Sequence, residues 1–190
     1  MAVWRARIPF YYGWVVVAST FTSLAVGYGV YYSFSVFFVA LVNEFGWGRA
    51  STSSAFSLFL VAMSTGGIAA GLLVDRLGHA RTISIGGVML TVGLFLASSV
   101  GQLWQFHLVF GVVCGLGLAL IGWVPAVAVV SQWFEVRRAT ALGVASAGIG
   151  LGIVAIVPLM QYVISSLGWR TAYQILAALA LIGTLPSTPT

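Results

Sequence analysis

The chain has 190 residues, of which 61% are hydrophobic and only 6% are charged, and its mean hydropathy is +1.08. A soluble domain carries about 25% charged residues, so this composition excludes an ordinary water-soluble fold and predicts a membrane protein. The formal net charge is +5, but every basic residue is an arginine beside an apolar run, which indicates membrane topology rather than nucleic-acid binding.

Six apolar segments occupy most of the chain, and the charged residues fall at their edges. A spanning helix needs about 20 apolar residues, because the hydrocarbon core is about 30 Å thick and a helix rises about 1.5 Å per residue. Five segments meet this length, whereas the sixth has about 15 residues before Pro186 and is short for a crossing. The predicted boundaries are 10–42, 50–74, 82–100, 103–130, 139–167 and 171–185.

All six segments are predicted to be helices. Lipid offers no hydrogen-bonding partner to a bare backbone, so only helices and closed barrels cross it, and these segments lack the alternation of a barrel strand. The first run follows Arg5 and Arg7 and is about twice as long as the apolar core of a signal peptide, so we expect no cleaved leader. The predicted fold class is an all-α membrane protein, a six-helix transmembrane bundle.

The arginines divide unevenly between the two sides of such a bundle. With the N-terminus in the cytoplasm, six arginines lie on inner segments and two on outer ones, which is the direction of the positive-inside rule. We therefore expect a multi-pass cell-membrane protein with a cytoplasmic N-terminus. The inner arginines are Arg5, Arg7, Arg76, Arg81, Arg137 and Arg138, and the outer ones are Arg49 and Arg170.

Glycine is abundant, with 23 residues, and several pairs recur four residues apart within the segments. This spacing places both glycines of a pair on one helix face, where two backbones can approach closely. Two interpretations stay open: static packing in a compact bundle, or bending and sliding together with Pro125 and Pro158. The pairs are Gly67 with Gly71, Gly111 with Gly115, and Gly148 with Gly152.

A charged motif joins the second and third segments. Gly71, Asp75, Arg76, Gly78 and Arg81 follow the pattern G-x-x-x-D-R-x-G, with an arginine three residues later. A carboxylate is unfavourable at the C-terminal end of its own helix, so we expect Asp75 to seek a positive partner elsewhere. Gly78 permits a sharp reversal of the backbone, and Arg81 is placed to meet interfacial anions or a carboxylate.

At these residues the chain resembles the major facilitator superfamily, whose hallmark between the second and third helices reads G-x-L-x-D-R-x-G-R-R and here stands as GLLVDRLGHAR. The resemblance implies that residues 1–190 form the N-terminal six-helix half of a twelve-helix transporter. It further implies a 3+3 inverted repeat over about 10–100 and 101–185. In that family the aspartate latches a cytoplasmic gate, a role that passes to Asp75 with the other motif residues in support. His79 and Ala80 replace the usual basic pair, which weakens the basic side of the latch.

A second resemblance points to a branch of the superfamily. Residues 133–152, WFEVRRATALGVASAGIGLG, are similar to the junction of the fourth and fifth helices in monocarboxylate and oxalate/formate porters, with Arg137 and Arg138 as the basic pair. The runs FYYGWVVVA and GYGVYYSFSVFF are similar to the same branch. This implies a small organic anion, such as a monocarboxylate, as substrate. Gly111 stands where many drug exporters have an arginine, and the fifth helix lacks their glycine-proline signature, so drug export is disfavoured.

Polar candidates for a substrate cavity lie on the first helix, where Tyr28, Tyr31, Tyr32 and Ser35 recur at helical spacing. Tyrosine hydroxyls can donate hydrogen bonds to a carboxylate while the rings exclude water. Helix packing by these aromatic side chains is the alternative interpretation. Two further candidates in later segments are Trp123 and Gln161.

Groups that could support catalysis or ion coupling are scarce. No Asp, Glu, Lys or Arg lies deep within a segment, so the obvious coupling group of a transporter is missing. His107 lies near the outer end of the fourth segment, which favours a capped or solvated histidine over a proton relay. Three acidic residues, two distant histidines and the single Cys114 suggest no catalytic or metal cluster, so we predict no enzyme activity, metal or other cofactor.

The expected partners are a small-molecule substrate, the lipid bilayer, and either a missing C-terminal six-helix half or a second copy of the chain, with no nucleic acid. The short sixth segment favours a fragment or truncated form of a transporter. The alternatives are a structural membrane subunit without transport activity and a half-transporter that works as a homodimer.

Overall fold

The computed structural model describes residues 9–134 and 137–184, with side chains described from Gly13 onward. These ranges contain helices and no strand, which confirms the all-α prediction. Five helices are long and apolar enough to cross a membrane, and the sixth has 16 residues. The helices are α1 (Pro9–Phe45), α2 (Arg49–Leu77), α3 (His79–Ala97), α4 (Leu103–Trp133), α5 (Arg138–Leu167) and α6 (Trp169–Thr184).

The turn between α2 and α3 is shorter than the sequence predicts. The two helices are separated by Gly78 alone, which has φ +80° and therefore occupies the left-handed region that glycine tolerates. Its N–H donates to the Val74 carbonyl at 3.0 Å, and its own carbonyl accepts from the Thr82 hydroxyl at 2.9 Å. Asp75 and the residues beside it thus lie on helix ends and not in a flexible loop. We call this side of the bundle the Asp75 end and the opposite side, where α1 ends, the Glu44 end.

The closest contact in the bundle is the parallel packing of α1 against α5. A Cβ atom at Gly148 would collide with the carbonyl oxygen of Phe21, and one at Gly152 would collide with that of Ala25. One turn further on, Gly29 of α1 receives the side chain of Ile156. Since the helices touch at their backbones, dispersion contacts rather than hydrophobic burial hold them together in lipid.

Helix α4 is irregular, which the sequence does not predict. It begins as an α-helix at Leu103–Phe106, becomes a π-helix at His107–Cys114, and returns to an α-helix at Gly115–Ile121. The helix then breaks at Gly122 and resumes at Trp123–Trp133.

The glycine pairs fulfil the packing prediction only in part. Gly111 and Gly115 lie against α2, where an added Cβ would be 3.2 Å from the Ala55 carbonyl oxygen or 2.8 Å from that of Phe59. Gly148 and Gly152 pack on α1. Gly67 and Gly71, in contrast, meet nothing within 4 Å in the described part of the chain, so the packing prediction is wrong for this pair within the bundle.

Helix α6 covers part of the bundle depth. At its C-terminal end Gly183 packs on Val26 of α1, Thr184 fills the space at Gly87 of α3, and the Ser23 hydroxyl donates to the Gly183 carbonyl at 3.3 Å. The described part of α6 therefore extends from the Glu44 end to about the middle of α1 and α3. The predicted end of the sixth segment, residue 185, lies outside the described residues.

The α1–α5 contact can be tested with a pair of matched substitutions. We expect Gly152→Ala to lower the free energy of unfolding by about 3 kcal/mol, because a single methyl group must push two helix backbones apart. Gly150→Ala, two residues away with nothing within 4 Å, should change it by less than about 1 kcal/mol. Unfolding followed by far-UV circular dichroism in detergent measures both, and equal effects would contradict the backbone contact.

Candidate functional site

The tyrosines of α1 do not share one environment. Tyr31 turns toward α2, with its ring centroid 5.2 Å from that of Phe56 and 5.8 Å from that of Phe59. Tyr32 is 46% exposed and meets the Tyr31 ring edge-on at 4.8 Å. Ser35 is exposed and its hydroxyl donates to the Tyr32 carbonyl at 3.0 Å. Tyr31 is thus mainly a packing residue, whereas Tyr32 and Ser35 present polar groups to the outside of the bundle.

Tyr28 occupies an intermediate position on the same helix. Its side chain is half-buried, packs beside the second segment of α4, and lies 6.1 Å from the Tyr31 ring. Tyr28 lies near the middle of α1, and Tyr31 and Tyr32 lie about one turn nearer the Glu44 end. The three tyrosines therefore form a short polar column along the helix.

Gln161 of α5 lies near the level of the last tyrosine in this column, on the side of the Glu44 end. The parallel register of α1 and α5, with Gly152 at Ala25 and Ile156 at Gly29, places Gln161 level with Phe34. Gln161 is exposed. Three polar residues from two helices, Tyr32, Ser35 and Gln161, are thereby brought to one level, and we call them the polar belt.

Trp123 lies apart from the polar belt. It is the first residue after the break at Gly122 and is 41% exposed. Ile121, just before the break, lies against Gly27 of α1, which puts Trp123 about two helical turns nearer the Asp75 end than Tyr32. The buried Pro125 follows and has no N–H to donate, which favours a new helix start after the break. Trp123 and the polar belt are thus two separate candidate sites.

The charged motif lies at the Asp75 end. Asp75 and Arg76 are exposed in the last turn of α2, and Arg81 is exposed in the first turn of α3. Throughout residues 9–134 and 137–184, none of these three side chains has a hydrogen bond or ion pair. Arg137 and Arg138 are also exposed at this end, where α5 begins. The structure gathers these charges at one end, and no ion pair joins them within residues 9–134 and 137–184.

A polar cluster at the Glu44 end was missed by the sequence reasoning. The Glu44 carboxylate accepts a hydrogen bond from the Arg170 guanidinium at 2.6 Å and another from the Trp169 indole N–H. The guanidinium also lies over the Trp169 ring, 4.3 Å from its centroid. We call this the Glu44 clasp, and it ties the end of α1 to the start of α6. The sequence signal that could have found it is that Glu44 and Arg170, which have opposite charges, both lie on predicted outer segments.

His107 and Cys114 have structural surroundings. The Nε2 atom of His107 lies 2.7 Å from the Ser54 hydroxyl, and its Nδ1 atom lies 2.8 Å from the Leu103 carbonyl oxygen. Both ring nitrogens are hydrogen-bonded, as the capped-histidine interpretation expects. Cys114 is fully buried. Across the described ranges, no three His, Cys, Asp or Glu side chains come together in a way that could hold a metal ion.

Comparison with known proteins places this architecture. Residues 19–188 match the sequence profile of the Major Facilitator Superfamily. The chain belongs to the major facilitator superfamily. As a member, it is a multi-pass membrane protein of a transporter family, and the predicted family is confirmed.

Curated relatives support the predicted branch of the superfamily. Over 170 residues the chain is 34% identical to monocarboxylate transporter 13 of Rattus norvegicus. This match covers 90% of this chain and 40% of that protein. The chain is 34% identical to monocarboxylate transporter 3 of Rattus norvegicus and 30% identical to monocarboxylate transporter 2 of Homo sapiens. These matches cover 90% of this chain and 34% and 35% of the two relatives. The chain thus spans well under half the length of these relatives.

The Glu44 clasp gives a measurable coupling. Glu44 and Arg170 are 40% and 50% exposed, so solvent screens the pair and Glu44→Gln should lower the free energy of unfolding by only about 1 kcal/mol. In a double-mutant cycle with Arg170→Gln, we expect a coupling energy of about 0.5–1 kcal/mol that shrinks as salt is raised. Arg49→Gln removes an exposed charge from the same end and serves as the control. Strictly additive single effects would show that the clasp is not energetically coupled.

Proposed function

We propose that this chain forms the N-terminal six-helix half of a membrane transporter that moves a small organic anion, such as a monocarboxylate, by alternating access. The observation that carries the proposal is the row of polar side chains that runs from Tyr28, near the middle of α1, to the exposed polar belt toward the Glu44 end. Transporters of this architecture bind substrate near the bilayer midplane, between two repeated units. A second six-helix unit would then face the belt from the other side.

The exposed faces of α2 and α5 support a second unit. Of the five long helices, these two are the least covered, with 22% of their central windows buried against 44–56% for the others. Both expose glycines that meet nothing within 4 Å, namely Gly67 and Gly71 on α2 and Gly143 and Gly150 on α5. Open glycine faces allow another helix to approach closely. The partner we propose is a C-terminal six-helix half, and a second copy of the chain is the alternative.

The chemistry of the polar belt fits a small carboxylate in part. Hydroxyl and amide groups donate hydrogen bonds to carboxylate oxygens, and the tyrosine rings beside them exclude water. None of the described spans carries an ionised side chain at this depth. The full positive charge needed to hold an anion there must therefore come from the second unit or from a co-transported cation. The names of the monocarboxylate transporters to which the chain is similar support the same substrate class.

The orientation we propose puts the Asp75 end in the cytoplasm. Of the six arginines in the described ranges, Arg76, Arg81, Arg137 and Arg138 lie at this end, which agrees with the positive-inside rule. Asp75 closes α2 with an exposed carboxylate at the negative end of the helix dipole. Such a carboxylate is stabilised by a cation or by the N-terminus of another helix. We propose that the second unit supplies this partner when the cytoplasmic side of the carrier is closed.

The gate role predicts a loss of turnover without a loss of binding. In the full-length protein, Asp75→Asn should lower the transport rate in proteoliposomes by at least about tenfold, because one conformational state loses a charge-assisted contact. The affinity for substrate in detergent should change less than about twofold. Asp75→Glu keeps the charge and is the control. An unchanged transport rate in Asp75→Asn would favour the structural-subunit alternative.

The polar belt predicts an effect on substrate affinity. We expect Tyr32→Phe and Gln161→Ala each to raise KM for labelled carboxylate uptake by about ten- to a hundredfold, which corresponds to the loss of one hydrogen bond to a charged group. The control is Tyr162→Phe, because Tyr162 is exposed on α5 but follows Gln161 by one residue and so faces elsewhere. If all three variants keep the KM of the parent, substrate does not contact the belt.

A further inference from the structure

One face of α3 is left uncovered and is headed by an arginine. Exposed residues recur along it every three or four positions, which makes a single stripe on the helix. The four apolar members are 45–56% exposed. The stripe consists of Arg81, Ile85, Val88, Val92 and Phe95.

An apolar groove of about 480 Å³ runs along this stripe between α3 and α4. Its lining extends from Ser84 to Val92 on α3 and includes Val113 of α4. A second groove of about 510 Å³, between α3 and α6, begins at Val92 and continues toward the Glu44 end. The two grooves share Val92 as a lining residue, so grooves flank the stripe along most of its length.

The length of the first groove along α3 is close to the hydrocarbon thickness of one bilayer leaflet. From Ser84 to Val92 the helix rises about 12 Å, and half of the hydrocarbon core is about 15 Å thick. Arg81 lies about one turn nearer the Asp75 end than Ser84, and helical side chains lean toward the N-terminus of their helix. Its long stem therefore carries the guanidinium to the level of the lipid headgroups.

The Arg81 guanidinium has no hydrogen bond or ion pair within residues 9–134 and 137–184. Guanidinium groups bind phosphate through two parallel hydrogen bonds, and anionic headgroups attract basic residues at a membrane surface. We propose that this surface binds one phospholipid with an anionic headgroup, with its phosphate on Arg81 and one acyl chain in the groove.

A lipid fits this face better than another helix does. The glycines of α3 point inward and are already occupied: Gly86 by Leu120, Gly87 by Thr184, and Gly93 by Cys114. The outer face is a ridge of branched and aromatic side chains beside a groove, and it offers no small residues for close backbone approach. The open glycines of this bundle lie on α2 and α5 instead. The surface therefore fits a flexible acyl chain better than it fits another helix.

The proposal changes the role of one motif residue. The sequence resemblance implies that Arg81 supports the gate at Asp75, whereas the stripe places Arg81 over a lipid-facing groove. The assignment to the cytoplasmic leaflet rests on the orientation proposed above. Headgroup recognition itself does not depend on transport, so it can be tested separately from the proposed function.

The test measures lipid affinity by native mass spectrometry of the full-length protein in detergent, titrated with phosphatidylglycerol or phosphatidylcholine of identical acyl chains. We expect the first phosphatidylglycerol to bind about fivefold more tightly than phosphatidylcholine, the effect of one basic group at a membrane surface. Arg81→Gln should remove this preference and Arg81→Lys should keep most of it. Arg138→Gln removes an exposed arginine from the start of α5 at the same end, away from the α3 stripe, and should change the preference by less than about twofold.

A groove variant separates a lipid site from a simple anion site. Val88→Trp fills the groove and should weaken both lipids by a similar factor, while the preference for phosphatidylglycerol persists. The proposal is overturned if Arg81→Gln keeps the full preference, or if Val88→Trp leaves both affinities unchanged. It is also overturned if Val88→Trp dissociates an oligomer, because this face would then be a protein interface.

Discussion

The backbone contact between α1 and α5 is the constraint on which the rest of the arrangement depends. Because Gly148 and Gly152 admit the carbonyls of Phe21 and Ala25, and Gly29 admits the Ile156 side chain, the two helices are held in one register. That register brings Gln161 of α5 to the level of Tyr32 and Ser35 of α1. The same contact covers one side of α5, whereas much of the rest of that helix stays uncovered.

The charged side chains at the two ends of the bundle have different surroundings. At the Glu44 end, the carboxylate is satisfied within the unit by an arginine and an indole that follow it by more than a hundred residues. At the Asp75 end, charges are exposed on helix termini and have no partner in the described ranges. The Glu44 clasp is therefore complete within this unit, whereas the exposed charges at the Asp75 end are accessible to other groups.

Much of the fold follows from the sequence, because helix number and position depend on hydropathy and on charges at the membrane rims. The described helix ends differ from the predicted ones by only a few residues. Periodicity says which residues share a face, but it does not say which face is covered. Gly67 and Gly71 have the same spacing as Gly148 and Gly152 and yet lie open, and Tyr31 and Tyr32 are neighbours with opposite surroundings. The π-helical stretch and the break at Gly122 were also unpredicted, since residues 103–130 read as one continuous apolar run.

The single residue between α2 and α3 has a mechanical consequence. Because Gly78 alone joins α2 to α3, a displacement of α2 along its axis must also move the start of α3. Asp75 in the last turn of α2 and Arg81 in the first turn of α3 therefore act on one joint. Under the lipid-binding proposal, an anionic headgroup held by Arg81 would bias the position of α2 through Gly78.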